Sequence, residues 1–472
     1  MAPLLAVPAL KLSPDPSALE IPPKPREAPL AIRWLLRAAV VATLAALWWQ
    51  IAAGGFGRGE AWLGQVPGLH AAAHWIRLAG IGLLAVTSLR ALLWLFYRPA
   101  ASGSHLPSVT ALVPAYNEGP MVRNALLSLA RSDYPAGRLR VIGIDDGSQD
   151  DTWDHMRAAA RLHPDRIELL RLPRNSGKRA ALHAGFLAAT GEVIVTADSD
   201  CIVAPDAVRE IVAPLANPKV GAVAGKVVAH NRKASILTRL LAPQFLVTFD
   251  FLRASQSVAG TVLCCPGALA AYRFAALRPL LPAWLGQTFW GRRVGPGEDR
   301  YLTTLLLREG YEARYQSTAV VHTLVPIHYR GICRMLLRWD RSDIRESLAA
   351  LTRWPRRRGL ARLAIPFVHA NVLATLLAVP LSFISAYVVA ALLVTHPLVG
   401  LLGLGGLGLP SLLGIAQALS ADFSLESLML VGYAWFFPAL LWIQPFAALT
   451  LRDQAWMSRR APAPALVEAA AA

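Results

Sequence analysis

Three long blocks without a charged side chain constrain this chain more than any other feature. Ala38–Gly57 is twenty residues without a charge, Leu363–Ala421 is a second such stretch and Ser427–Leu451 a third. About 20 apolar helical residues cross the hydrocarbon core of a bilayer. Each block is therefore long enough to span a membrane, and the middle one long enough to span it twice. Trp75–Tyr97 is a further predicted span, interrupted by Arg77 and Arg90, which can snorkel from its ends. With hydrophobic residues at 55% and charged residues at 16%, the blocks point to membrane helices rather than to an oversized soluble core.

A formal net charge of +17 raises the question of nucleic acid. The basic residues, however, flank the apolar blocks: Arg33 and Arg37, Arg353 with Arg356–Arg358 and Arg362, then Arg459 and Arg460. That is the positive-inside pattern of a membrane protein, and it favours a lipid partner over a nucleic acid. Four cysteines, with Cys264 and Cys265 adjacent, make no disulfide framework and suit a reduced, cytoplasmic face. The first thirty residues are proline-rich, read as disordered, and lack a cleavable signal pattern.

The order predicted is a tail over 1–30, two transmembrane helices within 31–98 and a polar α/β domain over 105–329. A surface helix over 330–360, further transmembrane helices within 361–451 and a basic cytoplasmic tail over 452–472 follow. Two N-terminal spans return the polar domain to the side of the tail, which the arginines place in the cytoplasm. Two or four C-terminal spans would keep Arg459 and Arg460 there too, and the glycine-rich stretch Gly400–Gly414 suits a short or re-entrant element.

Within the polar region Val109–Val113, Arg140–Asp145, Ile167–Leu172 and Glu192–Ala197 read as strands. Met121–Arg131 and Thr152–Leu162 read as helices between them. Strands separated by helices predict a parallel sheet with right-handed crossovers, whose ligands sit beyond the carboxyl ends of the strands. Three acidic turns fall there: Tyr116-Asn117-Glu118, Asp145-Asp146-Gly147-Ser148 and Asp198-Ser199-Asp200. Any one alone would be ordinary turn chemistry; three on one sheet edge define one site.

The residue types suit the departure of a diphosphate. Its developing charge needs a divalent cation and positive side chains, and Mg²⁺ or Mn²⁺ favours carboxylate oxygens such as those of Asp198 and Asp200. An extended Asp-Ser-Asp would point both carboxylates the same way. Lys178 and Arg179 follow Gly177 at a helix start, a phosphate-binding arrangement. Gly295-Pro296-Gly297-Glu298-Asp299-Arg300 opens another helix; its acidic pair could be simple capping, or supply the general base an acceptor hydroxyl requires, with Asp299 the candidate. Arg334, Arg338, Arg341 and Arg345 share one face of a helix over Tyr329–Leu351. That pattern predicts an amphipathic surface helix whose arginines meet lipid headgroups, with Arg338 available to the diphosphate and Trp339 to a sugar ring.

As a set these residues resemble family 2 glycosyltransferases of the membrane synthase type, such as hyaluronan, chitin and cellulose synthases and the chitooligosaccharide synthases of nodulation. The resemblance runs from about Leu106 to Glu346. It implies a GT-A, Rossmann-like nucleotide-sugar fold flanked by transmembrane and interfacial helices. It also implies that Asp145 or Asp146 contacts the uracil, and that Tyr116, Glu118, Lys178, Asp198 and Arg338 belong to the UDP-sugar site. Asp198 and Asp200 would hold the metal. Cys265-Pro266-Gly267, leading to Tyr272-Arg273, resembles the acceptor-pocket segment, so Cys265, Gly267 and Trp339 are implied acceptor contacts. Gly297-Glu298-Asp299 matches the motif whose aspartate is the catalytic base. Met335 to Trp339 falls on a Gln-x-x-Arg-Trp motif, but Met335 replaces the glutamine, and a thioether offers none of an amide's donors.

The expectation is an inverting membrane glycosyltransferase using a UDP-sugar, Mg²⁺ or Mn²⁺ and a glycan or lipid acceptor to build a β-linked polysaccharide or oligosaccharide coupled to secretion. Its rival within the class makes a glycolipid or short oligosaccharide, which Met335 favours. A transporter or scaffold with a nucleotide-sensing domain would place its polar residues within the spans; here the carboxylates crowd the polar domain.

Overall fold

A computed structural model describes residues 19–66, 68, 70–103, 105–352, 364–395, 397–398 and 409–453. The tail before residue 19, the arginines at 353, 356–358 and 362, the stretch 399–408 and Arg459–Arg460 lie outside those residues.

Helix α1 (Leu30–Ala52) is joined through the short α2 (Gly55–Leu63) to α3 (Ala73–Phe96). α1 begins at Leu30 rather than at the first residue of the charge-free block, because Arg33 and Arg37 are accommodated inside it. Arg33 pairs with Glu27, and the Arg37 guanidinium lies 5.1 Å from the ring centroids of both Trp34 and Trp94. α1 and α3 have a mean hydropathy of 1.8 over their most apolar windows, and a third helix, Ala364–Val394, reaches 2.3. These three are long and apolar enough to cross a membrane. Leu35, Trp49, Leu92 and Phe96 stand exposed on the first two, as lipid-facing side chains do. The block Ser427–Leu451 is not one straight rod: Leu425–Tyr433 and Phe437–Leu449 meet at 62°. Leu409–Ala421, at the start of the next described stretch, is helical.

Between these helices lies an eight-stranded mixed sheet. Its first strands are β1 (Val109–Ala115), β2 (Leu139–Asp145), β3 (Ile167–Arg171) and β4 (Val193–Thr196). They pair in parallel, with β1 between β2 and β4 and β3 outside β2. Helices α4 (Met121–Ala130), α5 (Thr152–Leu162) and α6 (Lys178–Ala188) make the crossovers. Every residue of β1 is buried, as expected for a strand covered on both faces.

The second half departs from the all-parallel expectation. After β5 (Cys201–Val203), α7 (Ala207–Val212) and β6 (Val220–Ala229) come α8 (Ile236–Val247), a π-helical turn at Thr248–Arg253 and α9 (Ala254–Val258). β7 (Ala270–Arg273) then inserts between β4 and β6, antiparallel to both. Helices α10 (Phe274–Leu277) and α11 (Leu281–Leu285) precede a hairpin of β8 (Thr288–Phe289) and β9 (Arg292–Arg293), and α12 (Glu298–Arg308) leads to β10 (Glu312–Thr323). β10 pairs in parallel with β6 and antiparallel with β5. A buried ion pair, Lys226 Nζ to Asp250 Oδ2 at 2.8 Å, joins β6 to the π-helical turn, and Tyr315 Oη donates to Asp250 Oδ1 at 2.9 Å.

Helix α13 (Tyr329–Thr352) crosses beneath the site and packs on α14 (Ala364–Thr395) and on the terminal helix Ile443–Leu449. Its arginine stripe is divided. Arg334 is exposed, but Arg341 and Arg345 are buried. Their guanidinium groups bind protein, not lipid headgroups: Arg341 donates to Thr450 Oγ1 at 2.8 and 3.0 Å.

Candidate active site

The parallel order of β2, β1 and β4 brings the three acidic turns to one edge. Around them opens a cavity of about 610 Å³ lined by Tyr116, Glu118, Asp146, Lys178, Asp198, Asp200, Arg293, Met335 and Arg338, among others. The turn after β1 is held by its neighbour: Asn117 (φ 51°) donates its amide to Ser148 Oγ at 3.0 Å and accepts from Gln149 N at 2.9 Å.

The two adjacent aspartates after β2 separate. Asp145, the last strand residue, is fully buried; it accepts from Ser148 N at 2.9 Å and pairs with Arg171 at 3.0 Å. It therefore braces the turn and is not among the cavity-lining residues. Asp146 lines the cavity and accepts from the backbone amides of Ser176 and Gly177, each at 2.8 Å. Burial pushes its carboxyl above the ordinary range, against the pull of those two amides.

Asp198 and Asp200 lie on the turn joining β4 to β5, not on an extended strand. One carboxylate oxygen from each and the Cys201 thiol lie within 4.8 Å of one another. The oxygen pair suits a hard divalent cation with places left for phosphate and water. The thiol does not: Cys201 is buried, its pKa is pushed well above the ordinary value by burial and then by Asp200, and its Sγ stands 3.6 Å from Asp200 Oδ1.

Lys178 opens α6 and reaches back into the site. Its Nζ lies 2.5 Å from Asp198 Oδ1 and 2.9 Å from Glu298 Oε1. Burial works against the ammonium, but Asp198, Glu298 and Asp299 outweigh it and hold the Lys178 pKa above its ordinary value. Gly267 makes the approach possible, since a Cβ there would stand 2.8 Å from Lys178 Nζ and 3.3 Å from Asp198 Oδ1. Arg179 also lines the cavity, but its guanidinium is engaged by the protein. It donates to the Trp284 carbonyl at 2.5 Å and to Gln287 Oε1 at 2.8 Å.

Glu298 and Asp299 start α12 after Gly297 (φ 89°). Asp299 Oδ2 accepts from Gly267 N at 3.0 Å and Oδ1 from Arg300 N at 2.8 Å. Burial first and the Glu298 charge second raise its pKa. Glu298 moves the other way: burial would raise it, but Lys178 brings it below the ordinary value. The motif thus holds one poised carboxyl and one fixed carboxylate.

Two expected contacts fall elsewhere. Cys265 is fully buried, with its amide bound to Thr303 Oγ1 at 3.0 Å, and burial pushes its thiol up to about 12. It presents no surface to a ligand. Trp339 is 40% exposed on α13, edge-on to Phe245 at 5.8 Å, and is not among the residues lining the cavity. Met335 does line it beside Arg338, although only 7% exposed. Arg293 on the β8–β9 hairpin and His328 also face the cavity; neither belongs to a motif, and no local pattern marked them.

The chain is similar in sequence and in fold to known proteins. The family described as Glycosyl transferase family 2 matches residues 110–281. An N-acetylglucosaminyltransferase of Sinorhizobium fredii is 35% identical over 379 residues, 78% of this chain and 87% of that protein. An N-acetylglucosaminyltransferase of Rhizobium leguminosarum bv. viciae is 34% identical over 360 residues, covering 75% and 82%. Among solved structures, a mannosyltransferase of Pyrobaculum calidifontis, in complex with GDP-Man and Mn²⁺, superposes with a TM-score of 0.51 at 24% identity. It covers 79% of this chain and 99% of that one.

Proposed function

This chain belongs to glycosyl transferase family 2, and from that premise we propose that it is a membrane enzyme transferring N-acetylglucosamine from its UDP-sugar to a growing β-linked glycan. The names of its relatives support the choice of sugar. The observation that carries the reading is Lys178, which lines the cavity and bonds both Asp198 and Glu298, so that Asp198 and the Glu298–Asp299 pair meet around one small pocket beside it.

In this reading the donor lies in the cavity with its nucleotide toward Tyr116, Glu118 and Asp146. Bound at Asp198 and Asp200, Mg²⁺ or Mn²⁺ supplies positive charge against that developing on the diphosphate. Lys178 and Arg338 add two fixed cations on the same side. Asp299, its carboxyl poised by burial beside Glu298, takes the proton of the acceptor hydroxyl. The acceptor oxygen bonds to the anomeric carbon as the bond from that carbon to UDP breaks on the opposite face. One displacement converts an α-linked donor into a β-linkage. The three apolar helices support a membrane location, and the flanking arginines support a catalytic domain on the cytoplasmic face.

Met335 in the cavity wall favours a second reading of product length. Its apolar side chain stands where related synthases use a glutamine, so the acceptor loses an amide contact, which suits a short oligosaccharide or glycolipid over a long polymer.

Purified protein with UDP-N-acetylglucosamine and Mg²⁺ or Mn²⁺ is expected to release UDP and form product, whose length is read on gels. Asp200→Ala and Asp299→Asn are expected to abolish transfer. Retention of transfer by either variant would overturn that residue's assignment, and activity only with another UDP-sugar would overturn the choice of donor.

A further inference from the structure

We propose that Arg345 is a positioning residue of the transfer reaction, tying the loop before the catalytic carboxylates to the end of the last apolar helix. The inference rests on Asp299 being the catalytic base.

Its ground is a set of contacts on one turn of α13. The loop Gly295–Gly297 lies directly on that helix: a Cβ at position 297 would fall 2.0 Å from Ser342 Oγ. One turn further, Arg345 is 3% exposed. Its Nη2 donates to the Pro296 carbonyl at 3.1 Å and its Nη1 to the Leu451 carbonyl at 3.1 Å. Pro296 is two residues before Glu298, and Leu451 follows the terminal helix Ile443–Leu449. Arginines commonly satisfy the carbonyls left open at a helix C-terminus. Here the same guanidinium also holds the catalytic loop.

Neighbouring contacts reinforce the junction. Arg341 fastens the same chain end through Thr450 and pairs with Asp453 at 3.0 Å. Glu346 Oε1 accepts from Gln287 Nε2 at 2.6 Å, and Gln287 in turn receives Arg179 from the donor-side helix α6. Arg345 binds both the loop and the chain end. A planar fork with fixed donor directions can bridge two carbonyls in a way an ammonium cannot. Seating of the terminal helix thereby sets where Glu298 and Asp299 stand, and a shift of about 1 Å in reacting groups costs about 10²-fold in rate.

The test uses the full-length protein in lipid nanodiscs, with turnover expressed per UDP-binding site so that unfolded material does not count. Arg345→Gln is expected to lower kcat by about 10²-fold while donor KM and UDP affinity stay within about twofold, the split that marks loss of alignment rather than of binding. Arg345→Lys is expected to recover only part of the loss. Unchanged kcat per site, or a loss appearing entirely in donor KM, would overturn the proposal. Should Arg345→Gln fail to fold, Arg341→Gln with Thr450→Ala loosens the same helix end without touching the loop. That pair is expected to lower kcat at constant KM, and wild-type kcat there would overturn the proposal equally. An inactive Asp299→Asn beside a fully active Arg345→Gln sinks this inference alone, whereas an active Asp299→Asn sinks the proposed function.

Discussion

Lys178 and Glu298 meet at 2.9 Å, joining the first residue of the donor-side helix to the first residue of the helix that carries the catalytic pair. Glu298 is 3% exposed, so its charge depends on that partner. Removing one member of a buried pair leaves the other uncompensated, at a cost of ~3–5 kcal/mol. Lys178→Met is therefore expected to lower the thermal unfolding temperature markedly, and Glu298→Gln in the same chain to restore much of it. A double-mutant cycle on unfolding midpoints checks this; additive effects would rule out the pairing.

The acid limb of kcat/KM follows from Asp299. A general base acts when ionised, so the rate rises with pH through its pKa. Burial and the Glu298 charge raise that pKa, and the limb is expected above the ordinary aspartate value of about 3.9. Glu298→Gln removes one of the two causes and is expected to move the limb to lower pH. A pH–rate profile that stays put, or moves upward, contradicts the assignment.

Gly267→Ala is a local wedge. The added methyl would stand 2.8 Å from Lys178 Nζ, which Asp198 and Glu298 hold from two sides. The lysine has to yield. The variant is expected to fold, with transfer reduced by about 10²-fold through lost alignment. Wild-type turnover would show that Lys178 has room its contacts do not suggest.

His322 sets an acid limit on stability. It is 3% exposed on β10, and burial, with His230 the next cause, brings its pKa down to about 4 from the ordinary 6.5. Below pH 6.5 the unfolded chain takes up a proton that the folded chain refuses until about pH 4. Stability is therefore complete above about 6.5 and is lost as pH falls toward 4, by at most ~3 kcal/mol. Unfolding temperatures measured across that window should fall steeply, and less so in His322→Gln. Parallel curves would refute the linkage.

How far the sequence discloses this molecule depends on how local each cause is. β1 to β4 and their helices are marked by apolar runs bounded by turn residues, and the structure places them within a few residues of the expectation. β6 and β10 carry no such mark. β6 holds Lys226, whose burial makes sense only beside Asp250, and β10 mixes Glu312, Arg314, Gln316 and His322 among its apolar residues. The antiparallel entry of β7 between β4 and β6 is likewise fixed by pairing across the sheet.

The site divides in the same way. Its carboxylates and Lys178 are legible because each sits at a strand end or helix start. The choice between Asp145 and Asp146 waits on which one Arg171 claims, and the burial of Cys265 on Thr303. The arginines of α13 show the limit most plainly. Their spacing is that of a lipid-facing stripe, and only the positions of Thr450, Leu451 and Pro296 reveal Arg341 and Arg345 as internal ties.

One contact inside the apolar part fixes an order of events. Arg90 on α3 donates from Nε to Asn371 Oδ1 on α14 at 2.9 Å, across 281 residues of chain. At a synthesis rate of ~5–20 residues per second, Asn371 emerges roughly 15–55 s after Arg90. A charged group in lipid without a partner is costly, so for that interval α3 needs a temporary one: water at the bilayer surface, a headgroup or the insertion machinery. The catalytic domain is made within the same interval. It is therefore a loop in the chain whose two flanking helices, α3 and α14, meet through that hydrogen bond.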